Sequence, residues 1–366
     1  MSTLRVDAIR HNSATSDAIT THSDGTASAK IIDVGGGQLS NRNLMINGAM
    51  NIAQRGTSST AEGYTCDRFN VLFAGHDEAP THAQVNVASG TTPYSLGFRK
   101  ALKITNGNQT SGAGSGRYII TRYKIEAQDI ANSGWNYTSS SSNITLSFWI
   151  KSSVAQNFYF NLVSADGSLQ NYAIETGALS ADTWTKVTKT IPGASNIQFD
   201  NDNGVGLQLD FWAYLGTNFT DNSVTLNQWA AYVSSARMPN HPTTWYTTND
   251  ATLEFTGLQL EVGDTATLFE HRSFADELSR CMRYFEFCRG GLTVTSGVSG
   301  YTGHGVQFKV TKRATPTITR VSDYEAVNVN TPYSEYVDEL GFRCVAQHDG
   351  SGGIKWDTKY KAEAEL

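Results

Sequence analysis

The chain reads as an all-β protein: an antiparallel jelly roll or β-sandwich, one linking α-helix, a small C-terminal β-sandwich and an extended N-terminal arm. Three observations lead there. Short apolar runs alternate with polar residues at a period of two, Gly-, Asn- and Ser-rich turns separate them, and one stretch alone carries a helical period. Composition agrees. Charged residues make up 17% of the 366, below the roughly 25% usual in soluble domains, and the polar surface is built from Ser, Thr, Asn, Gln and Gly instead.

Residues 1–40 carry scattered apolar patches (Leu4, Val6, Ile9; Ile31, Ile32, Val34) among Ser, Thr, Asp and Gly. That is too little apolar surface for a core, so this arm is expected to lie extended against a partner, with Gly35–Gly37 as a hinge. From 41 to 270 the pattern is that of a sandwich. Leu44, Ile46, Met50 and Ile52 keep one parity, a strand broken at Asn47-Gly48. Phe69, Val71 and Phe73 follow, then Ile144 to Ile150, Phe158 to Leu162 and Val205 to Phe211, each alternating. Leu253 and Phe255 are out of parity with Leu258, Leu260 and Val262, which predicts a bulge near Gly257.

The linking helix is assigned to 271–290. Phe274, Leu278, Cys281, Met282 and Phe285 recur at three and four, Ser273 stands at the N-cap position with Asp276 three residues on, and Arg289-Gly290-Gly291 supplies a stop. Its Arg280, Arg283 and Arg289 have Glu261, Glu270 and Glu286 as candidate partners. Residues 291–366 return to strands: GVQFKV with Val306, Phe308 and Val310 on one face, then TPTITRV, GFRCVAQ and GIKWDTKY. A unit under 80 residues is marginal alone, so it is expected to pack on its neighbours or on copies of itself.

A net charge of −6 without a basic run gives no electrostatic footprint for nucleic acid. No apolar stretch approaches the ~18 residues of a spanning helix. Cys66, Cys281, Cys288 and Cys344 form no CxxC pair and read as four free thiols, with no support for zinc.

Three blocks, in order, carry a resemblance. NRNLMINGAMNIAQRGTSSTAEGYTCDRFNV (41–71) holds Asn47-Gly48, Gln54-Arg55-Gly56 and Tyr64 to Phe69. LQLEVGDTATLFEHRSFADELSRCMRYFE (258–286) and GVQFKVTKRATPTI (305–318) follow. Together with the STLRVDAI and ITTHSDGTAS stretches of the arm they resemble tail-fibre, receptor-binding proteins of tailed bacteriophages, departing at Met45, Met50 and Phe69. The resemblance implies a subunit in the virion tail, attached through residues 1–40 to other virion proteins, assembled as a homotrimer, and binding a host surface glycan or protein. Binding without turnover is the expectation from the residues, with a structural virion adaptor or a host-polysaccharide-degrading enzyme as the alternatives. The resemblance carries over no binding residue; that no cofactor and no membrane insertion are expected comes from the residues themselves.

Asp200, Asp202, Asp210, Glu254 and Glu261 offer carboxylates, but no pair is singled out for glycoside hydrolysis. Asp200 to Gly204 starts like a calcium loop, yet the twelfth position is Phe211 rather than Glu. His76 and His82 share a segment with Asp77 and Glu78 and lack an evident third ligand. Aromatics remain, because a sugar ring stacks on an exposed aromatic face. The candidates are Trp135 and Tyr137 in NSGWNYTSSSS, Trp245 and Tyr246 in HPTTWYTTND, and, in the last unit, Tyr301, His304, Tyr333, Tyr336 and Trp356. Loop composition predicts that the first four are exposed.

Overall fold

The structure, a computed structural model, describes residues 6–10, 19–23, 27–29, 41–294, 300–348 and 352–366. Most of the arm, including Gly35–Gly37, lies outside the described residues. The described pieces Ala8–Ile9, Ile19–Thr21 and Ala27–Ala29 pair antiparallel in that order.

Two antiparallel sheets build a large sandwich. One runs Thr185–Pro192, Asn143–Ser152, Thr252–Val262, Lys100–Thr105, Thr81–Asn86 and Ser58–Ser59 in hydrogen-bonded order. The other runs Trp229–Ala231, Gln170–Ala178, Asn157–Ser164, Val205–Leu215, Tyr118–Glu126, Asn70–Ala74 and Gly63–Tyr64. The alternating apolar residues of both sheets meet in one core. Phe148 of the first sheet lies with its ring centroid 5.3 Å from Phe160 and 5.0 Å from Phe211 of the second, both edge-on.

The bulge falls where the parity change placed it. Ser147 pairs with Gln259 but Trp149 with Thr256, so Gly257 and Leu258 together stand opposite Phe148, and Gly257 takes φ +65°. The bulge frees the Leu258 amide, which donates to Gly48 O at 3.0 Å.

Residues 41–52, read as a strand, form none. Asn43 and Asn47 take over the hydrogen bonding a strand would need. Asn43 Nδ2 donates to Leu258 O (3.0 Å) while its Oδ1 accepts from Met45 N and Leu260 N. Asn47, at φ +62°, brackets Ile52 through both its amide atoms and also donates to Asp67 O. The segment is an irregular plug with Met45, Met50 and Ile52 buried, rather than one apolar face.

The helix is real but shorter than its spacing predicted: Phe274–Met282, with Ser273 Oγ accepting from Asp276 N at 3.2 Å. Phe285–Val294 is a strand, so Phe285, Cys288, Arg289 and Gly290 belong to a sheet. The helix also turns a different face inward. Phe274 is 63% exposed, while Cys281 and Glu277 are buried, and Glu277 accepts from Asn47 N at 2.6 Å.

Two three-stranded sheets follow: Phe285–Val294, Ile354–Glu363, Thr317–Val327, and Gly300–Gln307, Gly341–His348, Tyr333–Glu335. Cys288, Val306, Phe342, Cys344, Trp356 and Tyr360 form their shared core. Phe308 and Val310 lie past the end of their strand. All four cysteines are buried and free.

The residues that carried the resemblance meet at the joint between the large sandwich and these sheets. The Arg55 guanidinium lies over the Phe285 ring at 3.7 Å and donates to Glu365. Arg68 lies 3.4 Å over the Tyr284 ring and also pairs with Glu365. Arg283 donates to both Glu126 oxygens at 2.7 Å, and Tyr284 Oη adds a third bond at 2.6 Å. Arg313 donates to Ala364 O, Glu365 O and Asn203 O. The expected partners of the helix arginines are therefore corrected: Arg280 pairs with Asp276, Arg283 with Glu126, and Arg289 with Asp357.

Candidate binding face

Gly300–Gln307, Gly341–His348 and Tyr333–Glu335 pair in register, so that Tyr301 faces Gln347, Val345 stands between Gly303 and Tyr333, and Arg343 stands between Gly305 and Glu335. Side chains in a strand alternate between faces. These residues therefore share the face opposite the core, Val345 itself being buried, while Val306, Phe342, Cys344 and Ala346 point into the core. The two glycines make the face uneven. A Cβ at Gly303 would come within 2.3 Å of Arg343 Nε, so the guanidinium lies over the space a side chain would fill.

Tyr301 is 65% exposed, Tyr333 43% and Tyr336 78%. Tyr333 sits close enough to its neighbours that partial desolvation, then Glu335 and Tyr301, raise its phenol above the ordinary range. Tyr336 holds φ +49°, a left-handed backbone that tyrosine seldom adopts. The sharp turn presents its ring at the mouth of an open cleft of about 600 Å³, lined in part by Gly305, Gln307, Tyr336, Asp338, Leu340 and Arg343. Polar groups are fixed on this sheet, Arg343 and Asp338 in the cleft itself. Arg343 Nη1 donates to Glu335 at 3.0 Å, Asn330 Nδ2 donates to Gln347 Oε1 at 3.3 Å, and Asp338 accepts from the amides of Leu340 and Gly341. Exposed aromatic rings flanked by restrained guanidinium, amide and carboxylate groups are what polar, hydroxyl-rich ligands require.

The other aromatic candidates are placed elsewhere. Trp135 is buried, its Nε1 bonded to Ser142 O and its ring packed with Tyr137 and Phe199. Tyr137 is only partly buried and lies edge-on to Phe199. Trp245 and Tyr246 are fully buried, Trp245 bonding Thr252 O and Tyr246 stacking on Tyr214 at 4.2 Å. Trp356 lies in the C-terminal core. The expected exposure of Trp135, Trp245 and Tyr246 is corrected: their loops fold back, and a backbone carbonyl or a neighbouring ring takes up each side chain. His304 is exposed, on the strand that carries Tyr301.

The carboxylates are engaged. Asp210 holds Arg122 in a two-pronged pair at 2.8 and 2.9 Å, Glu254 pairs with Lys151, and Glu261 accepts from Thr267 N and Oγ1. Asp202 Oδ1 closes a turn onto Gly204 N, and Asp200 accepts from Gln198. Asp77, hydrogen-bonded by Arg117 and Ser111, is lowered to about 2. His82 lies buried between Thr65 Oγ1 and Ala61 O. Among the described residues no three His, Cys, Asp or Glu side chains converge on a metal site, and no helix is long and apolar enough to cross a membrane.

No family model matches the chain, and no curated protein matches it. Solved structures similar to it include the enzymatically active domain of bacteriophage CBA120 tailspike protein 4, at 10% identity and TM-score 0.34, over 60% of this chain and 21% of that one. A CBM4 structure aligns at 13% identity and TM-score 0.30, over 59% of this chain and 97% of that chain. The family 11 carbohydrate-binding module from Clostridium thermocellum, in complex with a mixed-linked tetrasaccharide, aligns at 12% identity and TM-score 0.25, over 56% and 91%. The chain thus spans about a fifth of the tailspike domain it matches.

Proposed function

We propose that the chain is a bacteriophage tail-fibre subunit that binds a host surface glycan, without cleaving it, through the Tyr301–Tyr333–Tyr336 face. The observation that carries the binding reading is the cluster of three exposed tyrosines beside a cleft with restrained polar groups. The virion assignment rests on the three ordered sequence blocks, whose arginines build the joint behind that face. Binding rather than turnover fits the face itself. Glu335 is tied to Arg343 and Asp338 to a turn, which leaves no carboxylate pair free for acid–base work there among the described residues. In this reading residues 1–40 attach to other virion proteins, the subunit assembles as a homotrimer, and nucleic acid and membrane are not partners.

The test is an array of bacterial surface polysaccharides probed with the full-length protein and with the Tyr301→Ala/Tyr333→Ala pair. Binding that weakens at least about tenfold in the double variant supports the reading, since each aromatic stack is worth on the order of 1 kcal/mol. Undiminished binding by the double variant moves recognition off this face. No binding by either protein favours a structural virion adaptor. Light scattering that shows a lone monomer at every concentration removes the homotrimer.

A further inference from the structure

We infer that the tyrosine face takes an internal run of three or more sugar residues from an uncharged polysaccharide and turns acidic ones away; this rests on the glycan-binding reading above. Two features set that class, the length of the face and the sign of the charge left on it.

Length follows from strand register. Tyr301 and Gly305 stand four residues apart on Gly300–Gln307, about 13 Å at the rise of an extended strand. Tyr333 lies two strands across from Gly303, about 10 Å at the usual strand spacing. One pyranose ring, six atoms joined by bonds of about 1.5 Å, cannot reach from the exposed Tyr301 to the cleft at Gly305 and Tyr336. The stretch between is not bare. The Arg343 guanidinium fills the space over Gly303, while Gly305 has open space above it. The face thus offers three places in a row: the Tyr301 ring, the flat guanidinium of Arg343, and the open floor at Gly305 beside Tyr336.

Charge decides the rest. Among the described residues that line the cleft, Asp338 and Arg343 are the ones charged at neutral pH. Arg343 already gives Nη1 to Glu335 at 3.0 Å. The Asp338 carboxylate, held by the amides of Leu340 and Gly341, is left without a cation, and Glu339 follows it in the chain. A uronate, sialate or phosphate group entering the cleft meets a like charge, an arrangement that suppresses a wrong partner. Hydroxyls meet no such barrier, because they can donate to Asp338 and accept from the remaining N–H groups of Arg343. Asp338 is therefore the group that sets specificity.

The experiment extends the array with polysaccharides of neutral repeat and of uronate-, sialate- or phosphate-bearing repeat. It is read with the full-length protein and with Tyr301→Ala/Tyr333→Ala. Each retained polymer is also oxidised at its primary hydroxyls to the uronate form, and cut by partial hydrolysis into sized fragments that compete with it. We expect neutral polymers to be retained and their oxidised forms to bind about tenfold or more weakly. That penalty should shrink as salt rises from about 0.05 to 0.5 M, while binding of the neutral polymer stays level. Fragments of one or two residues should compete about tenfold worse than fragments of three or four. Asp338→Asn, whose amide oxygen can still close the turn, should narrow the gap between neutral and oxidised polymer; an unchanged gap overturns the role of Asp338. Retention of an acidic polymer that the tyrosine variant loses overturns the inference and leaves the glycan reading standing. So does a monosaccharide that competes as well as a trisaccharide. If no polymer is retained, or the tyrosine variant retains it undiminished, glycan binding at this face falls and the inference falls with it.

Discussion

Single residues at the joint and at the bulge bear loads that their sequence context does not advertise. Gly48 is one. A Cβ there would stand 2.1 Å from Leu258 O, inside the hydrogen bonds that seat the plug on the bulge. Gly48→Ala should therefore cost about 2–4 kcal/mol in a denaturant titration, while an alanine at Gly305, which has open space around it and no left-handed backbone, should cost less. Glu126 is another. Burial works to raise its pKa, but hydrogen bonds from Arg283 and Tyr284 outweigh burial and hold it below the usual range. Its folded value lies below its unfolded one, so its stabilisation is complete above the unfolded value of about 4.3. It is lost as pH falls through the folded value. Glu126→Gln should accordingly lower the melting temperature at pH 7, by roughly 2–4 kcal/mol in stability. The gap from the unsubstituted protein should narrow below about pH 4, as a series of melts across pH would reveal.

Among the elements, the legible ones were those whose signal is local. Ser273 as a cap, the bulge at Gly257 and the alternating runs around Phe148, Phe160 and Phe211 all follow from neighbours in the chain. Where two periods fit the same letters, the sequence misled. Phe285 continues the helical spacing of Leu278 and Met282, yet it also opens the period-two run that becomes Phe285–Val294. Nothing local tells which wins, because the deciding partner, Ile354–Glu363, lies some 70 residues on. The tyrosine face was half visible for the same reason. Tyr301 and Tyr333 stood out as candidates, but only strand register places them on one surface across Val345. Trp135 and Trp245 misled because loop composition is blind to a loop that folds inward. The helix yields its own contrast. Cys281→Asp puts a charge into the buried side of Phe274–Met282 and should expose the chain around 283–294 to protease, whereas Phe274→Asp, on the wet side, should leave digestion unchanged.

For the whole molecule, the joint decides whether there is one folding unit or two. Arg68 is buried, packs on Tyr284, and bonds Glu365 and Lys124 O. Its replacement by alanine removes cation, ring contact and hydrogen bonds together and leaves Glu365 with Arg55. Calorimetry should show one cooperative transition in the unsubstituted chain and two in Arg68→Ala, the earlier one belonging to the small C-terminal core. A single undivided transition in the variant would mean that the joint contributes little. The strand Ile354–Glu363 is the middle strand of its sheet, and the residues just after it are gripped by Arg55, Arg68 and Arg313. The tyrosine face lies on the other sheet of that unit and shares its core, so a load on it reaches the large sandwich through this doubly paired strand and the arginines that hold the residues after it. Such a linkage behaves as a stiff lever: whatever is caught at the face would turn the whole subunit with it.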